Sequence, residues 1–482
     1  MIYQLRQVQH GAKTATTGVC GPLAPMPEGA RKLWFWAELR YYVLLALCGV
    51  FGYLQLLPNW LLVGGITFVT FRRFWKDFGE GVPLLSVAAL IAVLQWLIGP
   101  LWFYIGNYAH LTMGMQVDER TYFSLAVPGT AAYALGLLVI GQTVPLRPVL
   151  KAIETSRLII PGGLLLMVSF GGDIAARFGP ASLAYFFHIL SQLRYVGVLY
   201  FLASPGLKPK LLAVVAVSPL FLTSSASAMF HDLLLWMGIL LSFWFAKGVK
   251  SEAFKAAVIV LAVAGVFTIQ GVKGSFREKV WGGQEASLSE HFVDFWTHSF
   301  SSNPDEIVEG ALIRLNQGWI VSHVQAYVPV VEPYARGSTL KDAFSAALLP
   351  RFIYVAKEKA GGRRNFLRFT GLELNEQTAM TISLLGEGYA NFGRAGGALF
   401  LLLTALTMAG SYSWLLQWTR QHPLFLFWIP IVYYQAIKAE TDFTEILNHV
   451  VKGGIVAVTA FYLLEKVCPT RLVAGVSKDV AE

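Results

Sequence analysis

Residues 82–105 read VPLLSVAALIAVLQWLIGPLWFYI, 24 consecutive positions without a charge. A helix needs about 20 apolar residues to cross about 30 Å of hydrocarbon, so this stretch predicts a membrane-spanning helix. Eleven further apolar runs flank it, at about 34–53, 55–71, 121–144, 158–174, 182–203, 210–225, 229–246, 255–272, 395–416, 422–438 and 445–465. The runs at 55–71, 158–174, 210–225 and 422–438 are short and broken by Gly or Pro, and are expected to tilt, pair as hairpins or re-enter. The composition agrees: 55% apolar, 14% charged, mean hydropathy +0.55. The fold class read from these features is all-α, a polytopic membrane bundle of about 12 transmembrane helices.

The division that follows is a tail at 1–33, nine spans over 34–272, a long polar loop at 273–394, three spans over 395–465, and a tail at 466–482. With the N-terminus placed in the cytoplasm, the cytoplasmic segments hold Arg31, Lys32, Arg72, Arg73, Lys76, Arg147, Lys151, Arg157, Lys208, Lys210, Lys247, Lys250, Lys255, Arg420, Lys466, Arg471 and Lys478. The short outer loops hold only Arg120 and Arg177. Twelve spans therefore satisfy the positive-inside rule, and both termini are expected inside with the long loop outside. The formal charge of +9 is this loop bias; no basic helix or aromatic-basic platform points to nucleic acid. Cys20, Cys48 and Cys468 share no motif spacing, so neither a disulfide framework nor a zinc site is expected. The first 30 residues lack an apolar run, so the first spans are expected to act as the insertion signal.

The long loop sorts its charge. Glu278–Glu309 carries seven acids against one Lys, and Arg336–Arg368 carries eight basic residues against two acids. Phe292, Val293, Phe295 and Trp296, and then Ala311, Leu312, Leu315, Trp319, Ile320, His323 and Val324, recur at helical spacing. Asn303-Pro304-Asp305-Glu306 reads as the cap and first turn of the second helix. Short amphipathic helices lying on the bilayer as a lid are expected here.

The basic half contains Leu349-Pro350-Arg351-Phe352-Ile353-Tyr354, then Lys357, Lys359, Arg363, Arg364 and Arg368. Guanidinium forks suit phosphate oxygens; the competing reading is a basic loop resting on anionic headgroups. The loop closes on Asn375–Ser383 and on Gly386-Glu387-Gly388-Tyr389-Ala390-Asn391-Phe392-Gly393. A carboxylate at that position needs a partner or a task, while the small residues suit close helix packing. A second polar group lies within the spans: His188, Gln192, Arg194, His231, Asp232, Lys438, Glu440, Asp442, Glu445, His449 and Lys452. It reads either as an ion-pair network or as the polar wall of a cavity.

Leu349–Tyr354 with its following lysines, Thr378–Ser383 and Gly386–Gly393 together resemble Wzy-type polysaccharide polymerases, the O-antigen and exopolysaccharide repeat-unit polymerases of bacterial inner membranes. The likeness is specific over about 349–397; the layout of many spans with one long outer loop is general to that family. The resemblance implies a metal-independent, cofactor-free glycosyl transfer of GT-C type at the periplasmic face. The donor would be a glycan on undecaprenyl diphosphate, and the acceptor a repeat unit on another undecaprenyl diphosphate. Membrane lipids and a chain-length co-polymerase are the other candidate partners.

Such a transfer needs cations for the leaving diphosphate and a base for the acceptor hydroxyl. Arg351 is the first candidate cation, with Arg314, Arg336, Arg363 and Arg364 behind it; Glu387 and His323 are the candidate bases. Tyr389, Arg194, Lys438 and His449 complete the candidate substrate-binding set. His291 and His298 read as structural. An O-antigen ligase, passing glycan to a lipid A core, shares this architecture and donor. A flippase of lipid-linked sugars is the rival without chemistry.

Overall fold

The computed structural model describes residues 28–107, 113–141, 143–248, 250–281, 287–301, 303–348, 362–374 and 378–471. Among these residues the chain is helical throughout its regular structure, with no β-strand. Before the long loop come α1 (Glu28–Leu54), α2 (Asn59–Asp77), α3 (Leu84–Ile105), α4 (Glu119–Ile140), α5 (Leu146–Ala152), α6 (Thr155–Phe178), α7 (Ala184–Ala203), α8 (Lys208–Ser227), α9 (His231–Ala246) and α10 (Glu252–Trp281). The loop carries α11 (Leu288–Ser301), α12 (Pro304–Leu315), α13 (Gly318–Tyr327), α14 (Ser338–Leu348) and α15 (Arg363–Thr370). The chain ends with α16 (Ser383–Trp418), α17 (Pro423–Tyr433) and α18 (Phe443–Val467). Every apolar run read from the sequence falls on one of these helices. Among the described residues eight helices, α3, α4, α6, α7, α8, α10, α16 and α18, are long and apolar enough to cross a membrane; α9 and α17 are shorter apolar helices.

The core is built around α4, which packs against α1 and α16. Asp118 starts it by accepting the Thr121 backbone N–H at 3.0 Å, a side-chain cap on an otherwise orphan donor. α8 and α10 instead turn apolar residues outward, as Val214, Val215, Val260 and Leu261 do. Apolar surface of that extent suits a lipid solvent and not water.

Short connections gather at two ends of the bundle, tied by basic side chains. At one end Arg73 Nη2 donates to Gly141 O at 2.8 Å, Arg147 Nε to Ala246 O at 3.2 Å, and Lys247 Nζ to Leu202 O at 2.5 Å. These carbonyls lie at helix C-termini, where cations satisfy both the hydrogen bond and the helix dipole. At the other end Arg394 Nη2 donates to Tyr53 O at 2.9 Å and Arg277 Nε to Ala228 O at 3.1 Å, while the amide of Asn59 donates to Glu119 Oε1 at 2.9 Å.

The long loop departs from the sequence reading in three places. α10 continues past residue 272 to Trp281. The single helix expected over Ala311–Val324 is two, because buried Asn316 ends α12 with a non-helical ψ of 78°. Nor is that region a surface lid. In α13, Gly318, Trp319, Ile320, Val321, Ser322, Val324 and Gln325 are buried. A Cβ on Gly318 would stand 2.3 Å from the Tyr122 hydroxyl of α4. Two glycines dock α12 onto α10: a Cβ on Gly271 would stand 2.2 Å from Ile307 O, and one on Gly310 2.6 Å from Gly271 O. Backbone-to-backbone contact of this kind excludes any side chain.

α16 is two legs. Gly393 has φ 68° and ψ −161°, outside the helical region. The chain folds back there, so that a Cβ on Gly397 would meet the Gly388 carbonyl carbon at 3.0 Å. The expected span at 395–416 is the second leg; Glu387 and Tyr389 lie on the first.

Candidate functional site

Three cations meet where α10 leaves the bundle core. Lys273 and Arg277 are one helical turn apart on α10, and so share a face. The Gly271–Gly310 contact lays α12 alongside and brings Arg314 to them; its Nη2 would stand 3.4 Å from a Cβ on Gly274. Lys273 is buried, and Arg277 and Arg314 are half-buried. The three are close enough to repel one another. Burial pushes the Arg314 guanidinium below its usual range, and the charge of Arg277 pushes it further. Burial likewise lowers Arg277, with Glu440 opposing.

The α17–α18 connection supplies the facing wall. Glu440 Oε1 lies 2.9 Å from His231 Nδ1. Burial alone would raise its carboxyl, but His231, Lys438 and Lys273 hold it down at about 2. Lys438 Nζ sits 3.4 Å from Asp232 Oδ1 and 4.6 Å from the Tyr434 ring centroid. Asp232 also accepts the Tyr434 hydroxyl at 2.6 Å. Lys273, Arg277 and Arg314 thus lie beside a wall in which Lys438 is set among the carboxylates of Asp232, Glu440 and Glu445. Among the described residues, neither Lys273 nor Arg314 forms an ion pair with a carboxylate. A buried cation without a paired acid, such as Lys273, is costly unless an anion completes it.

Glu387 is placed differently from the expectation of a base in an open site. It is fully buried, and its carboxylate clamps three segments. Oε1 accepts the Thr339 hydroxyl at 2.6 Å and Oε2 accepts the Phe443 N–H at 2.7 Å, at the start of α18. Asn391, one turn on, donates from Nδ2 to Thr339 Oγ1 at 2.8 Å and to Glu387 O at 2.9 Å. Its Oδ1 accepts the Gly337 N–H at 2.9 Å. Each carboxylate oxygen has a donor, so the group holds the loop, the first leg of α16 and α18 together.

The remaining candidates scatter. His323 is half-buried with its ring edge-on to Trp319 at 5.6 Å, and burial holds its imidazole below the usual range. Arg336 is exposed at a left-handed position with φ 49°. Arg363 is exposed and donates to Leu374 O at 2.6 Å; Arg364 is exposed beside it. Tyr389 is buried, its hydroxyl donating to Val328 O at 3.1 Å. Arg194 is paired with Asp173 and donates to Ser169 Oγ at 3.1 Å. His449 is buried, Nδ1 at 2.8 Å from the Tyr185 hydroxyl and Nε2 at 2.8 Å from Ile431 O. Arg351 lies outside the described residues, as do the rest of 349–361 and Asn375–Gln377.

Of the expected cations, Arg314 and Lys438 are the two that this cluster brings together. Lys273 and Arg277 escaped the sequence reading because they were counted at the loop border. Their signal was an i, i+4 pair of cations directly after an apolar helix. Thr339 carried no signal of its own. Among the described residues, no group of three or more His, Cys, Asp or Glu side chains is arranged to hold a metal ion. The chain matches no protein-family model, no curated protein and no solved structure.

Proposed function

We propose that this protein is a polysaccharide repeat-unit polymerase of the bacterial inner membrane, crossing it twelve times with its long loop periplasmic. On this reading the chain alternates between the two ends of the bundle at each apolar helix. The end tied by Arg73, Arg147 and Lys247 would be cytoplasmic under the positive-inside rule. That leaves the cation cluster at the periplasmic end, beside the long loop.

The observation that carries the functional reading is the pair Lys273 and Arg314, brought together by the α10–α12 contact and, among the described residues, in no ion pair with a carboxylate. A lipid-linked diphosphate supplies the negative charge that this pair lacks. In the reaction, the acceptor sugar hydroxyl attacks the anomeric carbon of the donor glycan. The bond to the undecaprenyl diphosphate breaks, and charge builds on the leaving phosphate oxygen. Fixed guanidinium donors at that position lower the barrier because they need no reorganisation. Of the two candidate bases His323 is the one retained, since its ring is only half-buried and stands edge-on to Trp319; Glu387 serves as the clamp.

The test is reconstitution. Purified protein in detergent is given an undecaprenyl-diphosphate-linked repeat unit, and product length is read on a gel. Lengthening without added metal supports the proposal. Glycan profiles of a deletion strain separate the rivals: single attached repeats fit a polymerase, and polymer retained on undecaprenyl diphosphate fits a ligase. Loss of translocation with no lengthening in detergent fits a flippase.

A further inference from the structure

The opposite end of the bundle holds a second basic cavity, independent of the polymerase reading. It has a volume of about 220 Å³ and is lined by Arg147, Leu150, Lys151, Thr155, Ala203 and Lys247. Three separate connections build it: α5 with the turn into α6, the end of α7, and the end of α9. Arg147 reaches across with Nε on Ala246 O at 3.2 Å and Nη2 on Gly79 O at 3.4 Å and Gly248 O at 3.2 Å. Lys247 binds Leu202 O at 2.5 Å and Ala203 O at 3.3 Å. These carbonyls fix both side chains but carry no net charge. Among the described residues none of Arg147, Lys151 and Lys247 pairs with a carboxylate; the nearby Glu154 is taken by Arg157 at 2.5 Å. Burial lowers the Lys247 ammonium, and Lys210 repels it further. Three cations around a cavity with no acid in its wall form an anion site.

The flanks of the cavity select the source of the anion. α6 continues from Thr155 into Ile159 and Ile160, the latter 69% exposed, and α8 follows Ala203 with Leu207, 70% exposed, and Leu211. A phosphate held at the cavity therefore has bare apolar helix on either side, where acyl chains can lie. A free phosphate or nucleotide has no use for those flanks. The geometry points to a binding site for the phosphate headgroup of an anionic phospholipid at Arg147, Lys151 and Lys247, on the end of the bundle away from the long loop.

The test uses purified full-length protein in a zwitterionic detergent. Dioleoylphosphatidylglycerol, dioleoylphosphatidylcholine and inorganic phosphate are titrated separately. Retained lipid is counted by native mass spectrometry, and the thermal unfolding midpoint is followed in parallel. Phosphatidylglycerol is expected to bind and raise the midpoint, and phosphatidylcholine to do neither. Lys151→Gln changes an exposed side chain, so folding is not at stake; it should weaken phosphatidylglycerol binding about fivefold. Lys466→Gln, at the same end but outside the cavity, should leave binding unchanged. Equal retention of the two lipids overturns the proposal, as does Lys151→Gln binding like the parent. A full midpoint shift with inorganic phosphate alone overturns the lipid assignment.

Discussion

Glu387 offers the sharpest test, because a clamp and a base respond differently to the same two substitutions. In Glu387→Gln the side-chain shape is kept, but one oxygen becomes an NH₂ group. The structure presents donors to both positions, the Thr339 hydroxyl and the Phe443 N–H. The hydroxyl can rotate; the Phe443 N–H cannot, since it belongs to the first turn of α18. Gln therefore keeps the bond from the Phe443 N–H and reverses the one to Thr339, a loss of about 1–2 kcal/mol. In Glu387→Ala both bonds go, the Phe443 N–H is left buried without its acceptor, and a cavity remains. That loss is about 3–5 kcal/mol. The assay is thermal unfolding of the purified protein in detergent, with polymer formation measured on the folded fraction. Graded losses in the order Ala worse than Gln, with Gln retaining activity once folded, are expected. If Glu387→Gln unfolds at the parent temperature yet forms no polymer, the clamp argument fails and the carboxylate is catalytic.

Three other predictions concern the cation cluster. Arg314→Gln should abolish or strongly reduce polymer formation while raising the unfolding midpoint, because it removes a half-buried charge repelled by Arg277 and Lys273; a lowered midpoint counts against an uncompensated charge there. Gly271→Ala should destabilise by about 1–3 kcal/mol, since its Cβ would stand 2.2 Å from Ile307 O; it should also cut activity by moving Arg314, and an unchanged midpoint refutes the backbone contact. Glu440 has a folded pKa depressed to about 2 from 4.5. Its contribution is therefore complete above about pH 4.5 and is lost as pH falls toward about 2. Glu440→Gln should flatten stability against pH across that window, as read by unfolding at a series of acid pH values.

Helical class, the positions of the apolar helices and the break into a long polar loop were legible in the sequence because hydropathy is a local property. A run such as 84–105 needs no partner to be apolar or to satisfy its own backbone hydrogen bonds. Charge placement was local too, so the basic ends could be counted without a structure. The cap at Asn303 was visible for the same reason: its side chain accepts the Asp305 N–H at 3.1 Å, two residues away. The break at Asn316 was not visible, because its apolar neighbours keep helical spacing on both sides of it.

What the tertiary structure alone decided is which charges meet. Arg314 was one basic residue among many in the loop. It joins Lys273 and Arg277 only because Gly271 and Gly310 let two helices touch backbone to backbone. Glu387 read equally well as a base or a packed residue until Thr339 and Phe443, 48 and 56 positions away, were found on its two oxygens. Burial and pairing are properties of neighbours in space. The sequence lists the charged groups, and the fold determines which of them lose water and which gain a partner.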